Sequence, residues 1–438
     1  MRWVLRAGRG WGRAVKLFHQ ICGMVTNFNV TMPFIENNNN IMGSTLTKQD
    51  LLNDLYQAFN DARKHKNNRP YVKVFIRNLS SNMRQLRDDL WNGTYQPEPS
   101  SCFIVNHPKK REVFATHFRD RIVHHLYFNY THVLFERTFI RDNYSCIKGR
   151  GTHDGINRMR SKLQSVSANY TKQCYVLKMD LTGYFMHINR QLILDIATAS
   201  IDKMRRHESD IKGLMWEDKI DIGFVKKLTK TIALIDPTTD CHFSCDRSEW
   251  VGLPQSKSLF HTPEGCGLPI GNLTSQLFSN IYLNKLDQFV TRVLKCKYYG
   301  RYVDDFYIIS TNKNFLHSII PKIEEFLSNE LRLKINKGKT IISTVQQGVE
   351  FLGVYLKPHQ DYISNQSLRR IKRRLFDMEY NNSPGRTHIF ASVNSFLGIM
   401  RHTKSFNVRK NIMDSIMLFK DYGEVNKTYT KFIPYEKL

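Results

Sequence analysis

Between residues 46 and 66 apolar positions recur at helical spacing, with Leu51, Leu52, Leu55, Tyr56 and Phe59 on one face. Thr47 and Asp50 stand where a helix start is capped reciprocally. A second helix is predicted over Asn78–Trp91, stopped by Asn92-Gly93. Cys102–Asn106 and Glu112–Thr116 read as two short strands joined by the basic turn Pro108-Lys109-Lys110-Arg111, and 117–140 as a long helix. Cys174–Met179 is almost wholly apolar and ends at Asp180, the pattern of a buried strand. Residues 200–262 are polar and irregular, with two short helical patches. Leu273–Leu294 and Leu316–Leu331 carry helical spacing, Tyr298–Ser310 the two runs of a hairpin, and Val349–Leu356 a pair of short strands or a turn. From Ser367 onward the chain is basic and helical, broken at Ser383-Pro384-Gly385. Strands and helices mix without regular β-α alternation, which predicts an α+β fold.

The chain has 438 residues, 41% of them hydrophobic, so it can bury a sizeable core as two or three domains or as one elaborated enzyme core. No apolar run reaches the length that spans a bilayer. Charge sharpens the picture: 65 Lys and Arg against 39 Asp and Glu give +26, an excess that calls for a polyanionic partner, nucleic acid first. Eight cysteines, at 22, 102, 146, 174, 241, 245, 266 and 296, show no disulfide-framework spacing and fit a reducing, intracellular compartment. Residues 1–41 differ from the rest: Arg2, Arg6, Arg9, Arg13 and Lys16 precede the first acid, Glu36. This basic arm matches either an organelle transit peptide or an over-extended start before Met42, with Asn37–Asn40 as a flexible joint.

Tyr302-Val303-Asp304-Asp305 places two adjacent carboxylates inside an apolar strand pattern. Carboxylates between buried strands need a neutralising partner, or else a solvated turn. Asp180 ends another apolar strand, in Leu177-Lys178-Met179-Asp180-Leu181-Thr182-Gly183-Tyr184-Phe185. If that strand lies beside the hairpin, three carboxylates converge. Such hard oxygen ligands suit Mg²⁺, and two ions about 3.5–4 Å apart are the usual apparatus for in-line phosphoryl displacement.

These residues belong to an ordered series of motifs. Arg119-Asp120-Arg121-Ile122-Val123-His124-His125, then Tyr144 to His153, Asp180 to Phe185, Gly267-Leu268-Pro269-Ile270-Gly271-Asn272-Leu273-Thr274-Ser275-Gln276, Tyr302–Asp305, Lys337-Gly338-Lys339-Thr340 and Phe351-Leu352-Gly353 follow one another. The series resembles the reverse transcriptases, and among them those of diversity-generating retroelements, over about residues 46–400. The subgroup resemblance rests on Ile270, where other reverse transcriptases usually have Gln, and on Gln276, where they often have Pro.

The resemblance implies a right-hand polymerase: an arm over 1–41, helices and fingers over 42–173, a palm over 174–356 with an insertion at about 200–262, and a basic helical thumb over 357–438. It implies an RNA-directed DNA polymerase that copies a template-repeat RNA into cDNA, with errors at template adenines, for transfer into a variable repeat. Asp180, Asp304 and Asp305, with the Leu181 carbonyl, would hold two Mg²⁺ ions, for which Mn²⁺ can substitute. Phe185 takes the place of the steric gate against the 2′-hydroxyl. Lys110 and Arg111 would clamp the triphosphate, Arg111 the better because its guanidinium pairs with phosphate oxygens. Lys339, with Lys337 close by, would protonate pyrophosphate. Ile270, Gly271 and Gln276 would lie against the nascent base pair and template, and Phe351, Leu352 and Gly353 would grip the primer. Expected partners are template RNA, primer and cDNA, dNTPs and a small basic oligomeric accessory protein, with no membrane, in the cytoplasm of a bacterium or archaeon or of a phage host. Three alternatives stand beside this reading. One is a retron-like, defence-associated or intron-derived reverse transcriptase, against which Ile270 and the Arg119–His125 run argue. Another is a non-catalytic RNA-binding protein on a polymerase scaffold. The third concerns only Cys241, Cys245, His261 and Cys266, whose spacing also permits a zinc site.

Overall fold

The computed structural model describes residues 46–106, 109–204, 220–380, 385–416 and 418–435. The chain divides into two units, Met1–Gly43 and Ser44–Leu438, and all described residues belong to the second. The basic arm, Pro108 of the turn, residues 205–219 of the insertion and the Ser383-Pro384 break therefore lie outside the described residues.

Helix α1, Lys48–Arg63, begins as its sequence requires: Thr47 Oγ1 accepts from the Asp50 amide at 3.1 Å, and Asp50 Oδ2 accepts from the Thr47 amide at 3.1 Å. Its buried face is Leu51, Leu55, Ala58, Phe59 and Ala62. Helices α2, Pro70–Arg77, and α3, Leu79–Asn92, follow, and α3 ends where Gly93 takes a left-handed φ of +75°. Strands β1, Ser100–Val105, and β2, Arg111–Ala115, pair antiparallel. Helix α4, Phe118–Glu136, buries eleven of its residues. Its Arg119–His125 run is architectural. Buried Asp120 accepts from Tyr95 Oη and the Glu98 amide, both at 2.8 Å, and Arg119 pairs with Asp89 at 2.5 Å. His124 Nδ1 lies 2.6 Å from Thr274 Oγ1, and burial pushes its pKa down to about 3, so it serves as a neutral bridge.

Helix α5, Thr152–Val166, leads into the central sheet. That sheet comprises β3, Tyr175–Met179, the hairpin β5, Tyr299–Tyr302, with β6, Asp305–Ser310, and β7, Ile341–Thr344. The order is β5-β6-β3-β7 and every pairing is antiparallel. The short helix α6, Tyr184–His187, and then α7, Arg190–Met204, follow β3. Helix α9, Leu273–Gln288, buries eleven of its residues, among them the polar Thr274, Ser275, Ser279, Asn280 and Asp287, so it is enclosed nearly all round. Its predicted continuation to Leu294 instead opens into a π turn over Phe289–Val293.

The described part of the insertion is more ordered than its polarity suggests. Helix α8, Ile222–Leu234, buries Val225, Leu228, Thr229, Ile232 and Ala233. Strand β4, Cys241–Phe243, then joins β1 in parallel to extend the first sheet to β2-β1-β4. After α10, Lys313–Leu331, the strands β8, Val349–Phe351, β9, Val354–Lys357, and β10, Gln360–Ile363, form their own antiparallel sheet. Helices α11, Asn365–Tyr380, α12, Arg386–Met400, and α13, Phe406–Ser415, pack around a separate core containing Ile371, Leu375, Ile389, Val393 and Leu397. Strands β11, Gly423–Val425, and β12, Phe432–Pro434, close the described chain. The architecture is α+β, as the pattern predicts, arranged as the right-hand polymerase fold that the resemblance implies.

Candidate active site

Register brings the acids together. Met179 pairs with Phe306, so Asp180 and Asp305 leave the sheet at the same end of β3 and β6. Tyr302 faces Asp305 across a two-residue turn, which puts Val303 and Asp304 at the hairpin tip. Val303 has φ +56°, a conformation that a β-branched residue rarely adopts. Two contacts hold it there. Its amide donates to Ser145 Oγ at 3.1 Å, and its carbonyl accepts from Arg301 Nη1 at 2.9 Å. Arg301 is fully buried. It donates to both oxygens of the equally buried Asp287, at 2.7 and 2.6 Å, and Tyr299 Oη donates to the same carboxylate at 2.7 Å. Burial works against the guanidinium charge, but Asp287 more than offsets it and Arg301 titrates above its ordinary range.

The carboxylates are uneasy neighbours. Burial, then the charges of Asp180 and Asp305, push the pKa of Asp304 up to about 6, against a smaller opposing pull from Lys339. Asp305 is also raised by burial, with Lys178 acting in the other direction. Lys339 Nζ lies 2.9 Å from Asp180 Oδ2, and Lys178 Nζ lies 3.4 Å from Asp305 Oδ2. The backbone beside Asp180 is anchored because the Asn336 amide donates to the Asp180 carbonyl at 2.7 Å, and Leu181 bridges Ile335. A cleft of about 830 Å³ opens here, lined by Lys109, Lys178, Asp180, Asp305, Lys339 and the Leu352–Gly353 backbone region among others.

The other sequence candidates fall into place unevenly. Lys110 Nζ donates to the Val251 carbonyl at 2.7 Å, while Arg111 is exposed opposite Val105. It is Lys109 of the same turn that lines the cleft. Phe185 and Ile270 pack against one small cluster formed by Cys102, Phe114, Met186 and Leu259. Gly271 has φ +120°, and a Cβ there would stand 3.2 Å from Val113 Cγ1, so the chain crosses β2 closely at this point. Gln276 is exposed on the first turn of α9, whereas Ser275 is buried. Phe351 is buried against Tyr144 and Tyr307, so Leu352 and Gly353 are the parts of that motif that meet the cleft. Lys337 pairs with Glu324 at 3.7 Å.

Among the described residues no three His, Cys, Asp or Glu side chains form a ready metal cage, so the set Cys241, Cys245, His261 and Cys266 is not assembled into a zinc site. Of the aspartates, Asp180 pairs with Lys339 and Asp305 with Lys178. Their chemistry fits a divalent cation all the same: the negative charge of the neighbouring carboxylates helps to raise the pKa of Asp304 and of Asp305, a repulsion that a bound positive charge would relieve. No helix among the described residues is long and apolar enough to cross a membrane.

The sequence of residues 108–356 matches the family model of the reverse transcriptases, the RNA-dependent DNA polymerases. The chain belongs to this reverse transcriptase family. Members of it generally use divalent metal ions. Protein YkfC of Escherichia coli (strain K12) is 27% identical over 311 residues, covering 63% of this chain and 71% of that protein. Among solved structures, telomerase from Candida albicans with a TWJ fragment of telomeric RNA aligns with 75% of this chain at 10% identity and a TM-score of 0.44. Apo telomerase from Candida tropicalis aligns with 77% of the chain at 13% identity and a TM-score of 0.42. The chain spans 58% and 64% of those two telomerase chains.

Proposed function

We propose that this protein is an RNA-directed DNA polymerase in which Asp180, Asp304 and Asp305, with the Leu181 carbonyl, hold two divalent cations, Mg²⁺ or in its place Mn²⁺. The observation that carries the reading is the meeting of these acids at one end of β3 and β6, with Asp304 raised to about 6. Cations held by these residues would lower the pKa of the primer 3′-hydroxyl and offset the charge of the triphosphate. The chain supplies the rest. Lys109, Lys110 and Arg111 surround the triphosphate with positive charge from the β1–β2 turn, and Lys339, released from Asp180, gives its proton to the leaving pyrophosphate. Phe185 sits under the sugar and excludes a 2′-hydroxyl. Ile270, Gly271 and Gln276 face the nascent pair, and Leu352 and Gly353 hold the primer end, backed by the buried Phe351. Fingers span 42–173, palm 174–356 and thumb 357–438.

The finer assignment is to the diversity-generating retroelements. It rests on the run Gly267–Gln276, with Ile270 and Gln276 at the positions that separate this subgroup. On this reading the enzyme copies a template-repeat RNA in the cytoplasm, with errors at adenine, alongside a small basic accessory oligomer. Primer extension on a defined RNA with Mg²⁺, followed by sequencing of the cDNA, tests both levels. Absence of dNTP incorporation contradicts the polymerase assignment. Faithful copying of adenine, with the accessory protein present, contradicts the finer one.

A further inference from the structure

A buried carboxylate stands behind Phe185 and Ile270, and no step above uses it. Glu112 on β2 is 2% exposed. Its Oε2 accepts from Trp250 Nε1 at 2.7 Å and from Ser258 Oγ at 2.8 Å, and its Oε1 accepts from the Leu259 amide at 2.7 Å. A carboxylate this deeply buried is tolerated only when donors converge on it. All three donors come from one stretch of the insertion, 250–259, so Glu112 bolts that stretch to β2. The bolt has two consequences. Along β2 side chains alternate, so Arg111 and Val113 share the opposite face, and Val113 is the residue that Gly271 crosses closely. On Glu112's own side the bolted stretch delivers Leu259 into the small cluster against which Phe185 and Ile270 pack, with Trp250 and Phe260 around it. The ring of Phe260 lies 5.5 Å from that of Phe114. From the turn, Lys110 donates to the Val251 carbonyl and Asn106 Nδ2 donates to Glu249 at 3.2 Å.

We propose that Glu112 is a positioning residue for deoxynucleotide selection: by fixing 250–259 to β2 it sets the packing on which Phe185 and Ile270 rest. This rests on the polymerase reading above. Glu112→Gln keeps the shape but replaces one acceptor by an amide NH₂ that meets a donor head-on. The test uses the full chain extending a primer on RNA, with KM and kcat measured for dNTP and rNTP. Unfolding midpoints are followed in parallel. Glu112→Gln is expected to raise the dNTP KM several-fold, by at most about the tenfold that one such bond is worth, with kcat little changed and the dNTP preference reduced. Trp250→Phe and Ser258→Ala, each removing one donor, are expected to shift KM the same way by less. A folded Glu112→Gln with wild-type KM and sugar preference overturns the proposal, even if its unfolding midpoint falls. Should Glu112→Gln fail to fold, wild-type KM in both Trp250→Phe and Ser258→Ala overturns it. No extension by the wild type overturns the polymerase reading first and this inference with it.

Discussion

Asp287→Asn isolates the support beneath the hairpin that carries Asp304. Both Asp287 and Arg301 are 0% exposed, so the guanidinium has no water to fall back on. The best asparagine orientation keeps its oxygen at Oδ1, where it still accepts from Tyr299 Oη and Arg301 Nε. Its NH₂ then confronts Arg301 Nη2, which now donates to Oδ2 at 2.6 Å. One charge-assisted bond is lost and a buried positive charge is left unbalanced, an effect of about 3–5 kcal/mol. Urea unfolding reads this as a lower midpoint at unchanged slope. Activity is expected to fall further than the folded fraction, because a displaced Arg301 releases the Val303 carbonyl and the strained turn relaxes. Replacing both partners, Asp287→Leu with Arg301→Met, removes the unpaired charge and is expected to recover much of the stability while extension stays low. A loss below about 1 kcal/mol in Asp287→Asn, with full extension, refutes the argument that this pair holds the turn.

Other outcomes follow from the site. Asp304 has its folded pKa raised to about 6, so the native state binds more protons than the unfolded chain between roughly pH 4 and 6 and this group's destabilising effect grows as pH rises through that window. In cation-free buffer at pH 7, Asp304→Asn is therefore expected to be more stable than wild type by about 1–2 kcal/mol after allowance for partial exposure, and the gap should close at pH 4. An equal gap at both values contradicts the shift. Phe185→Ala is expected to admit rNTPs; an unchanged rNTP:dNTP ratio in an active variant makes Phe185 simple packing. Ile270→Gln or Ile270→Asn supplies a hydrogen-bonding amide where isoleucine offers only volume, and is expected to lower misincorporation opposite template adenine more than opposite other bases. An unaltered error spectrum in deep-sequenced cDNA removes Ile270 from the mutagenic mechanism.

Much of this was legible in the sequence because the chemistry sits on strongly patterned strands. Apolar runs ending in Asp180 and interrupted by Asp304-Asp305 reveal buried strands and the acids at their ends. The helix at Lys48–Arg63 was legible for a similar reason, since periodicity and cap residues agree. What escaped notice depends on partners distant in the chain. Arg301 looks like a polar interruption of a strand until Asp287 is placed beside it. Lys178 was readable in principle, two residues before Asp180 and so on the same face of β3. Lys109 differs from Lys110 and Arg111 only in where the turn sends it. Glu112 reads as a surface acid, because its three donors lie about 140 residues later in a stretch too polar to look packed. Strand β7 gives little signal because the edge strand Ile-Ile-Ser-Thr is short and does not alternate apolar with polar.

The most direct test is extension of a DNA primer on an RNA template with Mg²⁺ by wild type and Asp304→Asn, with equilibrium RNA binding measured on the same preparations. On the proposed reading, RNA affinity rests on many Lys and Arg contacts to phosphate, whereas nucleotide transfer rests on the few acids that would hold the cations. The wild type is expected to extend, Asp304→Asn to lose extension by several orders of magnitude, and both to bind RNA alike. Near-normal extension by Asp304→Asn would contradict the role given to these acids.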